Sequence, residues 1–314
     1  MLQVLGLVLP LFGIILLGYL SGKAKAISID GLDWMNFFII YIALPPLIFL
    51  LLFDTPFEEF GNSRFLFATT FATFIIFSIG FCVAKYLARD SMGNSTIQGF
   101  VGAYGNIGYL APPLALAAFG PEAAVPVALI FCLDNTMHFI MAPTLMALGG
   151  REKVSRWSIT TRIVKNIVSH PFIIATTAGM TAAFYELKLV EPAQRLLEIL
   201  AQAAAPCALF AMGITVALRP LTRIPPQLTY LLPLKLLVHP LLVYLLVSPI
   251  PDLPAVWLHS AVLLAALPTA ANVFVIGQQY GFWQERASSA IVISTVLSTL
   301  TVTAYLYLVK IGTI

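Results

Sequence analysis

Apolar runs of membrane-spanning length, following one another with little polar chain between them, constrain this sequence more than any other feature. A helix needs about 20 mostly apolar residues to cross a bilayer. Ten segments have that character: Leu2–Leu20, Met35–Leu52, Phe65–Leu87, Ile97–Ala118, Val125–Leu148, Ile163–Phe184, Leu196–Leu218, Leu228–Val247, Val256–Gly277 and Ala287–Val309. Of the 314 residues, 60% are hydrophobic and 10% charged, whereas a soluble domain carries about a quarter charged residues. No soluble core absorbs that much apolar surface. The expected class is an all-α polytopic membrane protein, one integrated membrane domain in the bilayer. The first apolar stretch does not read as a signal peptide, because a signal has a positive region before it and here the first basic side chain is Lys23, after it.

The basic residues give an orientation. Cytoplasmic loops are enriched in Lys and Arg. With an external N-terminus, the cytoplasmic ends collect Lys23, Lys25, Lys85, Arg89, Arg151, Lys153, Arg156, Arg162, Lys165, Arg219, Arg223 and Arg286, and the external ends only Arg64, Lys188, Arg195 and Lys310. Both termini are therefore expected outside, with Gly149–Arg162 cytoplasmic. The net charge of +3 follows from this asymmetry and needs no nucleic-acid partner. Cys82, Cys132 and Cys207 lie in apolar runs, so neither a disulfide framework nor a metal site is expected. No phosphate-binding Gly-rich loop of the Walker A kind is present, which argues against nucleotide-driven pumping.

The two halves share a register. Pro10 and Pro171, Gly18 and Gly179, Pro45 and Pro206, Phe49 and Phe210, and Gly120 and Gly281 are each separated by the same 161-residue offset. Each half holds five spans, and an odd number inverts the second half relative to the first. The prediction is two inverted five-helix repeats, residues 1–150 and 151–314, an architecture that places a solute site near the membrane midplane.

Spans 4 and 9 occupy equivalent places and are the most interrupted. Span 4 contains Gly102-Ala-Tyr-Gly-Asn-Ile-Gly-Tyr-Leu-Ala-Pro-Pro113, and span 9 contains Leu264-Ala-Ala-Leu-Pro-Thr-Ala-Ala-Asn-Val-Phe274. Proline removes a backbone donor, and unwound backbone in a membrane must face protein or a wet cavity. Restarted half-helices would present N–H groups with partial positive charge. Pro112 or Pro113 suits the first turn of one half-helix, and Pro268-Thr269 the opening of the other. Asn106 and Asn272 supply amides at the breaks. This constellation predicts an anion site, with Tyr109 and Asn135 beside it.

Ionisable groups inside spans are costly and functional by default. Asp134 and His138 share one face of span 5 at i, i+4 spacing, and either is suited to bind a cation or carry a proton. Lys235 and His239 form a second such pair in span 8, where Lys235 is expected to snorkel to the cytoplasmic surface. Ser294, Ser298 and Thr299 in span 10 suit either a path lining or helix packing. His170 and His259, and Trp34, Trp157, Trp257 and Trp283, lie near span ends and read as interfacial.

The stretches Gly18-Tyr-Leu-Ser-Gly-Lys23, Ala43-Leu-Pro-Pro-Leu-Ile-Phe49, Tyr104-Gly-Asn-Ile-Gly108, Leu267-Pro-Thr-Ala-Ala-Asn272 and Gln278-Gln-Tyr-Gly281 resemble the auxin efflux carrier family, which includes plant PIN proteins and bacterial permeases. The resemblance covers the whole chain. It implies a scaffold of helices 1, 2, 6 and 7 and a transport domain of helices 3–5 and 8–10, with the broken helices 4 and 9 crossing at the site and an elevator-like shift between inward and outward access. The implied substrates are small organic anions such as malate, malonate or auxin-like acids, carried across a bacterial inner membrane. The coupling ion would be a proton or sodium, no cofactor is implied, and a second copy of the chain is a candidate partner. Plant members carry Asn-Pro at the first crossing, whereas here Ile107 follows Asn106 and the prolines stand at Pro112 and Pro113. The competing expectations are a sodium-coupled organic-anion symporter of the bile acid kind, separable by sodium dependence, and a membrane sensor without transport, which would be marked by a signalling domain.

Overall fold

Helices form wherever the apolar segments run, and they end or bend where proline or glycine interrupts the backbone. The computed structural model describes residues 2–24, 29–55, 61–149, 156–218 and 224–312. In chain order the helices are α1 (Leu2–Ala24), α2 (Ile29–Phe37), α3 (Leu44–Phe53), α4 (Ser63–Cys82), α5 (Met92–Ala103), α6 (Ile107–Phe119), α7 (Ala124–Leu148), α8 (Arg156–Val168), α9 (Pro171–Phe184), α10 (Glu191–Leu218), α11 (Leu228–Pro233), α12 (His239–Val247), α13 (Ala255–Ala266), α14 (Asn272–Tyr280) and α15 (Gln284–Lys310). Wider π-helical turns join α2 to α3 (Phe38–Ala43), extend α4 (Val83–Leu87) and join α11 to α12 (Leu234–Val238). Among the described residues there is no strand beyond one isolated bridge. The boundary expected at 150/151, residues 150–155 of the basic loop Gly149–Arg162, and Lys25, Arg219 and Arg223 lie outside the described residues.

Among the described residues, six continuous helical stretches are long and apolar enough to cross a membrane: Gly31–Phe53, Ser63–Leu87, Pro121–Leu148, Glu191–Leu218, Leu228–Val247 and Gln284–Lys310. Leu9–Ala24, Ile107–Phe119, Pro171–Phe184 and Ala255–Ala266 are shorter apolar helices. Spans 4 and 9 are shortened because they are broken, as expected. The expected span 6, Ile163–Phe184, is also divided. Pro171 disfavours helix at the residue before it and starts α9 at a position where its missing N–H costs nothing. His170 caps that helix, its Nδ1 accepting from the Phe172 N–H at 3.3 Å.

The chain falls into two compact units. Unit 1 comprises residues 1–63, 108–132 and 168–218. Its helices approach through small residues. A side chain at Gly18 of α1 would collide with the Phe210 carbonyl of α10, and a Cβ at Gly179 of α9 would stand 3.0 Å from the Phe49 carbonyl of α3. Gly18 and Gly179 are related by the 161-residue offset, and so are Phe49 and Phe210. One contact therefore maps onto the other under the shift that relates the sequence halves. Close backbone approach at glycine is how apolar helices gain packing energy in lipid, where no hydrophobic force drives them together.

Unit 2 comprises residues 64–107, 133–167 and 219–314. Its apolar core gathers Phe77, Ile97, Phe100, Tyr104, Leu231, Val273 and Trp283. Trp257 and Trp283 are buried, Trp257 edge-on to Phe65 at 4.9 Å. Both therefore pack inside protein rather than serving as the interfacial anchors expected of them, while Trp34 and Trp157 are exposed. The offset pair Gly120 and Gly281 ends the two half-helices α6 and α14, with φ of 80° and 73°. Those values lie in the region that glycine adopts without steric cost.

Candidate functional site

The breaks in spans 4 and 9 meet within unit 2. Helix α5 ends at Ala103, and Tyr104 turns extended (φ −74°, ψ 94°). Helix α13 ends at Ala266, and Leu267, held out of helical conformation by Pro268, is extended (φ −64°, ψ 150°). The two extended pieces pair antiparallel at Gly105 and Thr269. The Asn106 N–H donates to the Pro268 carbonyl at 2.7 Å, and the Ala270 N–H to the Tyr104 carbonyl at 2.9 Å. Peptide groups freed by each break are thus satisfied by the other, which is what a low-dielectric setting demands. Two further bonds pin Thr269: its hydroxyl donates to the Val101 carbonyl at 2.9 Å, and its N–H donates to Ser294 Oγ at 3.1 Å. Ser294 is therefore a strut of the crossing.

Both half-helices restart beside this pairing, α6 at Ile107 and α14 at Asn272. This corrects the expected starts. Pro112 and Pro113 lie inside α6, a turn and a half after its beginning, and Pro268-Thr269 form the crossing itself. The break sits at Tyr104, where the chain turns extended, not at the prolines. In α6 the prolines instead deprive the Gly108 and Tyr109 carbonyls of their i+4 donors.

Around the crossing, Tyr104 links two amides. Its hydroxyl donates to Asn135 Oδ1 at 2.6 Å and accepts from Asn272 Nδ2 at 3.0 Å. Tyr104, Asn106, Asn135 and Thr269 are buried, while Asn272 is exposed. The Tyr104 ring stacks on the His138 ring, with centroids 3.9 Å apart and planes 6° from parallel. Asn106, Asn135, Pro268, Thr269, Asn272, Asp134 and His138 thus come together in unit 2. Tyr109, Pro112 and Pro113 belong to unit 1, where the Tyr109 hydroxyl donates to Asn36 Oδ1 at 3.2 Å.

The residue that reading the sequence misplaced is Lys235. It does not snorkel. Its side chain is fully buried, and its Nζ donates to the Ala265 carbonyl at 2.7 Å, in the last turn before the span 9 break. A Cβ on Gly105 would lie 3.2 Å from that Nζ, so the ammonium sits directly against the crossing. The π turn Leu234–Val238 carries it, a distortion often found at functional positions. On its other side Nζ lies 3.1 Å from His239 Nδ1. The signal was present in the sequence: Lys235 and His239 stand one turn apart near the middle of their span, too deep for an easy reach to the surface.

Asp134 is buried, its Oδ2 accepting from the Thr73 hydroxyl at 3.0 Å, while Oδ1 has no hydrogen-bond partner. Asp134 and Lys235 make no direct ion pair. Neither ring nitrogen of His138 is hydrogen-bonded. Unsatisfied polar atoms at such depth are costly.

The chain's relatives are transporters by name. The profile of the family described as membrane transport protein matches residues 3–306. A protein of Rhizobium meliloti (strain 1021), provisionally named a malonate transporter, is 51% identical over 99% of this chain and 98% of its own length. An uncharacterized transporter of Methanothermobacter thermautotrophicus is 25% identical over 93% of each chain. The uncharacterized transporter YfdV of Escherichia coli (strain K12) is 23% identical over 96% of each.

Proposed function

The chain belongs to the membrane transport protein family, the family of the auxin efflux carriers, and from that premise we propose that it is a secondary transporter of small dicarboxylates of the malonate kind. The observation that carries the reading is the antiparallel crossing at Gly105 and Thr269, with two half-helices restarting beside it and the Lys235 ammonium against it. Helix N-termini and a buried cation complement a carboxylate. Asn272, the exposed member of the amide set, is the group a solute meets first, and Asn106 stands across the crossing from it. The relative named for malonate favours a short dicarboxylate over a large aromatic acid.

The same reading takes the ten apolar segments as spans in two inverted repeats, the reciprocal Gly18–Phe210 and Gly179–Phe49 contacts being its structural support. Access alternates as helices 3–5 and 8–10 shift along helices 1, 2, 6 and 7, with both termini external. Asp134 and His138 carry the coupling proton or sodium ion. A thermal-shift screen of purified protein against small carboxylates, with and without sodium and across pH, followed by counterflow of the stabilising compound in proteoliposomes, tests the reading. Stabilisation and counterflow by short dicarboxylates are expected. A chain that no carboxylate stabilises and that exchanges none overturns it.

A further inference from the structure

Four side chains in unit 2 form an unbroken hydrogen-bonded line from Asp134 to Lys235. Asp134 Oδ2 lies 3.0 Å from Thr73 Oγ1, Thr73 Oγ1 lies 3.3 Å from His239 Nε2, and His239 Nδ1 lies 3.1 Å from Lys235 Nζ. The line draws on three helical segments, α4, α7 and the α11–α12 span, and all four residues are buried. Each link can run in either direction, because a hydroxyl and a neutral imidazole both donate and accept. With Lys235 as ammonium, its N–H donates to His239 Nδ1, His239 Nε2–H donates to Thr73 Oγ1, and the Thr73 hydroxyl donates to the Asp134 carboxylate. With Lys235 as amine, the Asp134 acid donates to Thr73 Oγ1, the Thr73 hydroxyl to His239 Nε2, and His239 Nδ1–H to the Lys235 lone pair.

We propose that Thr73 and His239 are a proton relay joining Asp134 to Lys235, so that a proton bound at Asp134 and an anion bound at the crossing are coupled through one reversible hydrogen-bonded wire. One polarity becomes the other by concerted transfer: one N–H bond of Lys235 breaks, one O–H bond forms on Asp134, and His239 and Thr73 each gain one proton and lose one. The pair Lys235⁺/Asp134⁻ becomes Lys235⁰/Asp134–COOH with no change in total charge. An anion arriving at the crossing holds Lys235 as the ammonium and returns the proton from the acid. Asp134 is then a carboxylate able to take a proton from solution, so proton uptake accompanies anion binding.

The titratable groups around the wire are few. His138 on α7 is within Coulombic reach of Lys235 and His239, and Tyr104 on α5 stacks on His138 and is within reach of Asp134. Gly105 leaves the space that the Lys235 Nζ occupies against the crossing. This inference rests on the reading of the crossing as the solute site, and it names the proton as the coupling ion.

Two measurements separate it from that reading. In proteoliposomes under an imposed proton gradient, Thr73→Val and His239→Gln should lower accumulation of radiolabelled malonate at least tenfold more than they lower its counterflow, and Thr73→Ser, which keeps the hydroxyl, should restore accumulation. Accumulation that survives in Thr73→Val, or falls only in step with counterflow, overturns the relay and leaves the solute site standing. The second needs no solute. The infrared band of the protonated Asp134 carboxyl, identified by its loss in Asp134→Asn, is titrated in detergent. Lys235→Met should move its midpoint, and that displacement should shrink by more than half in the Thr73→Val background. An equal displacement in both backgrounds means that the two groups sense one another through space alone, and the relay is wrong whatever the solute.

Discussion

Among the described residues, unit 1 buries only two polar side chains, Thr176 and Thr215, whereas unit 2 buries Asp134, Asn135, His138, Lys235 and His239 with a set of serines and threonines. Both units are built from apolar helices with small residues at close approaches. Unit 1 is held by backbone meeting backbone at glycine, as at Gly18 and Gly179. Unit 2 keeps charged groups out of water, where each costs several kcal/mol unless it is paired. Packing alone does not call for that cost. On the proposed reading the structural task falls to unit 1 and the chemistry to unit 2, and substitutions in the two should then fail in different ways.

The largest expected effect is in unit 1. Gly18→Leu drives a side chain into the Phe210 carbonyl, and a helix backbone cannot turn aside as a rotamer would. Overpacking of this kind costs about 1–3 kcal/mol or more. Size-exclusion of detergent extracts should show little monodisperse protein; a normal yield with an unchanged melting temperature would break the contrast between the units. In unit 2, Asp134→Asn keeps size and one hydrogen bond to Thr73. It should yield folded protein whose malonate accumulation under an imposed proton or sodium gradient falls at least tenfold while counterflow persists. Full accumulation in this variant would reduce Asp134 to a structural hydrogen bond. The smallest effect is expected from Tyr104→Phe, which removes the hydroxyl between Asn135 and Asn272 and keeps the ring on His138. If the hydroxyl holds the two amides in place for the solute, freeing them should cost binding about one hydrogen bond, about 1 kcal/mol, and titration calorimetry should show roughly fivefold weaker malonate binding.

The helical class and the two breaks were legible because long apolar runs, glycine and proline act locally. The break in span 9 follows from Pro268, visible in the chain, and the extended turn at Tyr104 in span 4 is followed by Gly105, which leaves room for the Lys235 Nζ. That the broken pieces pair with one another, and that Asn106 bonds to Pro268 rather than standing free, depends on helices far apart in sequence. Pro112 and Pro113 misled because proline marks a helix start only when nothing earlier has already begun the helix, and here Gly105 and Asn106 precede them. Span 6 read as continuous because hydropathy averages over the Ser169–His170 break. Lys235 was misplaced because snorkelling is the common fate of a lysine in a span; its mid-span depth already pointed inward, and the π turn and the Ala265 carbonyl show that course. Trp257 was missed for a similar reason: its place near a span end suggested lipid headgroups, but Phe65 covers it.

The central claim is that the crossing in unit 2 binds a small dicarboxylate, and the most direct test is the affinity of the purified protein for malonate, by titration calorimetry, in wild type, Asn106→Ala and Asn272→Ala. Each substitution should weaken binding by about 1–3 kcal/mol, the cost of a lost hydrogen bond to a charged group, or about five- to 150-fold in Kd, in protein that still folds in the absence of solute. Wild-type affinity in both variants would contradict the account and move the solute away from the crossing.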